Sequence, residues 1–269
     1  MVSFSDSTAP RADRLIELTG VCKDYSSGPN LVRALRPASL TLDRGEFVLL
    51  EGPSGSGKTT LLQVMGLLMK PSAGRIRICG EDVTAMGEDK LPGLRLKHIG
   101  FIFQTFNLFP ALTAFENVKL VLKLKGFGWT ERGKEAKTLL DRVGLGSCMH
   151  RKPGELSGGQ RQRICIARAL AGDNDIILAD EPTAALDTTT GISIIELLRD
   201  EARTGRKAVL VVTHDPRLEK YATRVDKMTD GVLTGGMPTR SRHAHSLDDS
   251  GVLFPHHPAP VAEVAGAAF

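Results

Sequence analysis

The row Glu46-Phe47-Val48-Leu49-Leu50-Glu51 runs without a spacer into Gly52-Pro53-Ser54-Gly55-Ser56-Gly57-Lys58-Thr59, and this junction limits the possible folds more than any other part of the chain. An unbroken apolar row reads as a strand buried on both faces, as in the centre of a parallel sheet. Glycines at 52, 55 and 57 let the backbone turn so that several N–H groups point at one spot. Residues 60–68 are apolar enough for a buried helix, and a helix that begins near Lys58 aims its positive end at that spot. The arrangement is a phosphate cradle. Lys58 is expected to contact the β- and γ-phosphates of a nucleotide, the Thr59 hydroxyl to ligate Mg²⁺, and Thr60 to complete the loop.

The rest of the chain extends this pattern. Residues 15–19 alternate like a half-buried strand, and 99–103, 176–179 and 208–212 read as short buried strands. Residues 113–125 and 130–143 look helical, and Ile192, Ile195 and Leu198 recur at helical spacing. Buried strands alternating with helices predict an α/β domain with a mostly parallel sheet. The stretch 106–155 breaks the rhythm and reads as a helical subdomain inserted into that core, reaching about 172 with the helix that follows. The domain is placed at 14–232, after a polar extension over 1–13. From 235 the composition shifts to Pro, Ser, Ala and His, including His243, His245, His256 and His257, and reads as a solvated, disordered tail rather than a metal site.

Composition excludes several classes. A hydrophobic share of 41% and a charged share of 25% suit an ordinary globular protein. No apolar row approaches the length needed to span a bilayer, and the polar start lacks a signal-peptide core. Cys22, Cys79, Cys148 and Cys165 are scattered and read as free thiols in a reducing compartment. The net charge of +4 permits a membrane-surface or nucleic-acid partner and requires neither.

Asp180 follows four apolar residues, which places it at the edge of the sheet where open α/β folds bind ligands. It is expected to hold Mg²⁺ through water, while Glu181 polarises the attacking water as general base. His214, after the second buried row, and Gln104, after the 99–103 strand, fall on the same edge. His214 would reach the γ-phosphate, and the Gln104 amide oxygen would face Mg²⁺ or the water. Tyr25 lies in a loop ahead of the glycine motif, where it either stacks on adenine or is a partly buried loop tyrosine.

A second phosphate-binding device appears in Leu156-Ser157-Gly158-Gly159-Gln160. Ser157 is a natural N-cap for the helix that follows, and two glycines let a phosphate approach its positive end. Chance occurrence of this pentapeptide is on the order of 10⁻⁴–10⁻³. Yet the chain has one glycine loop and no internal repeat.

With this pentapeptide the sequence resembles the ATP-binding cassette family over about residues 14–232. The glycine loop, Gln104, the pentapeptide, Asp180-Glu181, Ala185-Leu186-Asp187 and His214 follow the family's order. One departure is Ala184, where many relatives carry serine or glycine. The resemblance implies a P-loop NTPase core with a small antiparallel β region on its N-terminal side. It also implies a head-to-tail homodimer in which each ATP lies between the loop of one copy and Ser157, Gly158, Gly159 and Gln160 of the other. Gly100-Phe101-Ile102-Phe103-Gln104, Asn107-Leu108, Pro110, Leu112-Thr113-Ala114 and Glu116-Asn117-Val118 look like the macrolide-exporter and lipoprotein-release branch. That branch implies ATP hydrolysis, with Mg²⁺, driving an integral-membrane permease on separate chains. It implies export or extraction of a lipophilic, peptide or lipoprotein substrate, a cytoplasmic location on the inner membrane face, and no nucleic acid. The alternative is a cassette ATPase of DNA repair or translation. Against it, the sequence shows no long coiled coil and no zinc-like cysteine spacing.

Overall fold

The computed structural model describes residues 13–27, 30–204 and 207–235. The tail read from 235 lies outside the described residues from 236 onward, its four histidines included, as does the extension up to residue 12. In chain order the elements are β1 (Arg14–Ser27), β2 (Asn30–Asp43), β3 (Phe47–Glu51), α1 (Lys58–Met65), β4 (Ala73–Ile78), β5 (Glu81–Asp82), α2 (Leu91–His98) and β6 (Ile99–Ile102). They continue with α3 (Ala114–Leu124), α4 (Trp129–Arg142), α5 (Gly158–Leu170), β7 (Ile176–Asp180), α6 (Thr188–Arg203), β8 (Ala208–Val212), β9 (Arg224–Thr229) and β10 (Val232–Thr234).

Two sheets result. One has the order β10-β9-β3-β8-β7-β6, and its β9, β3, β8, β7 and β6 run parallel. The other is antiparallel, in the order β2-β1-β4-β5. The expected α/β P-loop NTPase core with a small antiparallel region is therefore present.

Alternation along the central strands explains their unbroken apolarity. Phe47, Leu49, Ile177, Ala179, Val209 and Val211 face one core, shared with α3, α4, α5 and α6. Val48, Leu50, Ile176, Leu178, Leu210 and Val212 face the other, shared with α1 and the antiparallel sheet. Both faces are covered, so no polar residue is tolerated along the strand interiors.

Helices α3, α4 and α5 pack on one another between β6 and β7 in the chain. Thr113 caps α3 by accepting from the Glu116 N–H at 3.2 Å, while the Glu116 carboxylate accepts from the Thr113 N–H at 2.8 Å. On α6 the buried stripe is Gly191, Ile194, Ile195, Leu198 and Ala202, so Ile194 takes the fully buried place expected of Ile192. Tyr25 requires a larger correction. It lies inside β1, paired with Val32, and not in a loop.

Candidate active site

Four neighbouring strands deliver the site. In the order β3-β8-β7-β6 they are parallel, so whatever follows their carboxyl ends gathers along one edge. Gly52 follows β3, His214 lies just beyond β8, Asp180 ends β7 with Glu181 next, and Gln104 lies just beyond β6.

These residues line one cavity of about 330 Å³. Ser54, Gly55, Gly57, Lys58, Thr59 and Thr60 share the lining with Gly52, Gln104, Asp180, Glu181 and His214. Ala34, from β2, lines it too and was not foreseen; a small residue mid-strand carries no sequence signal. Pro53 sits in the loop without lining the cavity, and Tyr25 is not among the lining residues. The Tyr25 hydroxyl instead points at the Met69 sulfur, 3.0 Å away.

The cradle depends on its glycines. Gly52 has φ 154° and Gly57 φ 102°, and an added Cβ would stand 2.0 Å from the Met228 carbonyl oxygen and 2.5 Å from that of Ala34. The Lys58 ammonium is folded into the loop, donating to the carbonyls of Gly52 at 2.8 Å and Pro53 at 2.7 Å. A charge held this way, at the start of α1, is placed for phosphate oxygens.

The Thr59 hydroxyl donates to Asp180 Oδ2 at 3.0 Å. Burial pushes the Asp180 carboxyl above the usual carboxylate range, and the neighbouring Glu181 carboxylate pushes the same way. The Thr59 hydrogen bond and the Lys58 charge pull it back without cancelling the rise. A hydroxyl and a carboxylate side by side are hard oxygen donors, which fit Mg²⁺ by type.

Glu181 is clamped. Its Oε1 lies 3.1 Å from His214 Nδ1, its Oε2 accepts from Gln104 Nε2 at 3.4 Å, and its N–H donates to the Val212 carbonyl at 3.0 Å. Its φ is +47°, a conformation uncommon outside glycine and concentrated at functional positions.

The 157–160 stretch does not line this cavity. Ser157 caps α5: its hydroxyl accepts from the Gln160 N–H at 3.2 Å, and the Gln160 amide oxygen accepts from the Ser157 N–H at 2.9 Å. Because the hydroxyl is used as an acceptor, its hydrogen remains available to donate outward. Ser157 is exposed.

Among the described residues no helix is long and apolar enough to cross a membrane.

Comparison with known proteins agrees with this geometry. A family model described as "ABC transporter" matches residues 35–184. The chain is 47% identical over 222 residues to an uncharacterized ABC transporter ATP-binding protein of Thermotoga maritima, covering 82% of this chain and 94% of that one. It is 44% identical over 232 residues to the lipoprotein-releasing system ATP-binding protein LolD of Anaeromyxobacter dehalogenans, covering 86% and 97%. Against the macrolide export ATP-binding/permease protein MacB of Hyphomonas neptunium, identity is 41% over 251 residues, which is 93% of this chain and 39% of that longer one. A solved dimer of the ATP-binding cassette MJ0796, in a post-hydrolysis state with ADP and Pi, superposes with TM-score 0.81 at 41% identity, covering 84% and 99%.

Proposed function

This chain belongs to the ABC transporter family and is an ATPase cassette, and from that premise we propose that it hydrolyses ATP as a head-to-tail pair of identical copies. Each ATP is held between the 52–59 loop of one copy and Ser157, Gly158, Gly159 and Gln160 of the other. One observation carries this reading: a capped helix start with a free hydroxyl hydrogen stands outside the cavity that its chemistry would complete. The MJ0796 cassette, of the same fold, is itself a dimer.

Lys58 leaves its loop carbonyls for the β- and γ-phosphates and so takes the place of hydration around them. Thr59 and Asp180, with Gln104 beside them, hold Mg²⁺, which supplies positive charge to the phosphates. Glu181 accepts the proton of the attacking water as the bond between the γ-phosphorus and the ADP oxygen breaks. His214 and Gln104 orient the Glu181 carboxylate from either side. A positioned base contributes about 10²–10⁴ in rate, so Glu181→Gln should lower turnover by that factor and leave ATP bound. ATP hydrolysis at an unreduced rate would remove the base role. Tyr25, on the strand hairpin outside the cavity, remains a proposed adenine contact only if the base extends past β2.

The work is done on an integral-membrane permease. The relatives in Thermotoga maritima and Anaeromyxobacter dehalogenans are named ATP-binding proteins and the longer MacB relative an ATP-binding/permease protein, which supports a permease as the partner. A cleft of about 320 Å³ supports a docking place; Phe101, Phe103, Phe109, Leu120 and Leu124 line it. Its apolar lining suits an amphipathic helix of the permease. The cargo in this reading is a lipophilic, peptide or lipoprotein substrate exported or extracted from the inner membrane face, and relatives named for macrolide export and lipoprotein release support it.

Mixing two dead variants decides the shared site. Lys58→Ala spoils only the loop, and Ser157→Arg only the second device. If ATP bridges copies, each is inactive alone, while in the mixture half the dimers regain one intact site. Activity should return to roughly a quarter of the native value, as the symmetry of the pair requires. A mixture as inactive as its parts would sink the shared arrangement.

A further inference from the structure

At the sheet edge opposite the ATP site, three side chains of different chemistry converge. Cys79 stands in the turn after β4, His98 ends α2, and Asp175 immediately precedes β7. Cys79 Sγ is 3.4 Å from His98 Nδ1, and Asp175 Oδ2 is 2.7 Å from the same nitrogen. All three atoms lie within 4.8 Å of one another, and all three residues are half-buried.

An imidazole nitrogen carries one hydrogen or one lone pair, so the sulfur and the carboxylate compete for the single bond that Nδ1 can make well. A cation replacing that proton would bind all three together. The geometry is already close. Ordinary zinc bond lengths give tetrahedral edges of about 3.3–3.6 Å, so the sulfur–nitrogen separation needs no change, while the carboxylate must move off the nitrogen by about 0.6 Å and settle at a like distance from the sulfur, which now lies within 4.8 Å of it. A sulfur, an imidazole nitrogen and a carboxylate oxygen form a set for a borderline transition metal, not for Mg²⁺ or Ca²⁺.

The three groups are also held in place. Asp175 Oδ1 accepts from Arg44 Nη2 at 3.1 Å, which leaves Oδ2 turned toward His98. The Asp175 N–H donates to the His98 carbonyl at 3.1 Å, and the Cys79 N–H to the Leu15 carbonyl at 2.8 Å. Partners that orient the ligands are what a built site has beyond its ligands. Two positive groups near the thiol oppose a cation, Arg44 and Lys97. A thiolate and a carboxylate together neutralise a divalent ion, and Arg44 is already engaged by Asp175.

We infer that Cys79, His98 and Asp175 form a site for a zinc-class cation, with water completing its coordination. The ion would tie the turn after β4, in the antiparallel sheet, to the amino ends of β6 and β7 in the parallel one. The inference stands independently of how ATP is used.

Cobalt(II) reports the ligand set directly. Full-length protein, stripped with chelator, is titrated with Co²⁺ and read by absorption. The expected result is a thiolate-to-metal charge-transfer band with tetrahedral d–d bands, saturating at one equivalent and displaced by Zn²⁺. Cys79→Ser should abolish the charge-transfer band although Cys22, Cys148 and Cys165 remain. His98→Gln and Asp175→Asn should each weaken Co²⁺ binding beyond the roughly 10–100-fold that loss of an outer partner costs. These two carry the same decision if Cys79→Ser does not fold. Zinc at a hundredfold excess over Kd should raise the Tm of the native chain by about 5–10 °C and leave Cys79→Ser unmoved. Sulfur-free Co²⁺ spectra, as tail histidines would give, overturn the inference. So does a band that survives in Cys79→Ser, or saturation only at millimolar metal.

Discussion

Asp180 is held in a position that is good for chemistry and poor for stability. Its carboxyl is buried beside another carboxylate and titrates above the usual range. The folded chain therefore keeps that proton to higher pH than the unfolded chain does. Stability falls as pH rises from the ordinary carboxylate range through the raised value, and stays lower above it. Asp180→Asn removes this loss. Thermal melts of nucleotide-free protein at neutral pH should show a higher Tm for the variant, with the gap closing as pH is lowered toward the ordinary carboxylate range. A lower Tm at neutral pH would contradict the burial argument. ATPase activity should collapse in the same variant, because the proposed metal ligand is gone. The place of Asp180 at a strand end was legible from four apolar residues before it. The clamp on Glu181 was not, because it depends on how far β6 and β8 overhang their neighbours, and no local pattern encodes that.

Elements differ in how openly the sequence announces them. The strands β3, β7 and β8 are short apolar rows buried on both faces, and they stand where periodicity puts them. By contrast β2 hides, since Pro37 within it argues against a strand. The structure accommodates the proline at a register irregularity between the pairs Val21–Ala38 and Lys23–Leu35, where no ladder bond is needed. That unseen strand carries Ala34 into the ATP cavity, and its pairing with β1 turns the expected Tyr25 loop into a hairpin arm. The start of α3 depends on a residue of another kind. Asn117 is fully buried, donates to the carbonyls of Phe109, Leu112 and Thr113, and accepts from the Phe109 N–H. Asn117→Ala would orphan the Phe109 N–H and the Leu112 carbonyl, while the carbonyls of Phe109 and Thr113 keep the backbone N–H groups of Leu112 and Asn117. At about 1–3 kcal/mol for each group left unpaired, a net loss of about 3 kcal/mol is expected. Calorimetry should show Tm lower by about 6–12 °C. A fall of a degree or less would mean the 109–113 turn holds itself.

For the whole molecule, the proposed permease contact separates binding from transmission. Phe109 is 52% exposed and Leu124 60% exposed at the rim of the apolar cleft, away from the ATP cavity. Replacing both by aspartate should leave basal ATPase activity unchanged and abolish its response to a reconstituted permease partner. Equal stimulation of native and variant protein would place the contact elsewhere. The family order of motifs made the architecture legible at this scale, because the glycine loop, Gln104, Asp180-Glu181 and His214 mark strand ends, and the pentapeptide and Asp187 mark helix starts. Residues 79, 98 and 175 were not legible together, since three elements far apart in the chain supply them and no spacing rule connects them.

The His214 side chain is 73% exposed, so one wall of the proposed reaction centre is bulk solvent. A high-dielectric wall weakens every charge that faces a leaving phosphate. A solitary copy would thus hold its fuel in a damp, electrically blunted chamber, and idle turnover would be slow. Drying that wall by contact with a twin would sharpen the field, making consumption of ATP depend on where and with whom the molecule is docked.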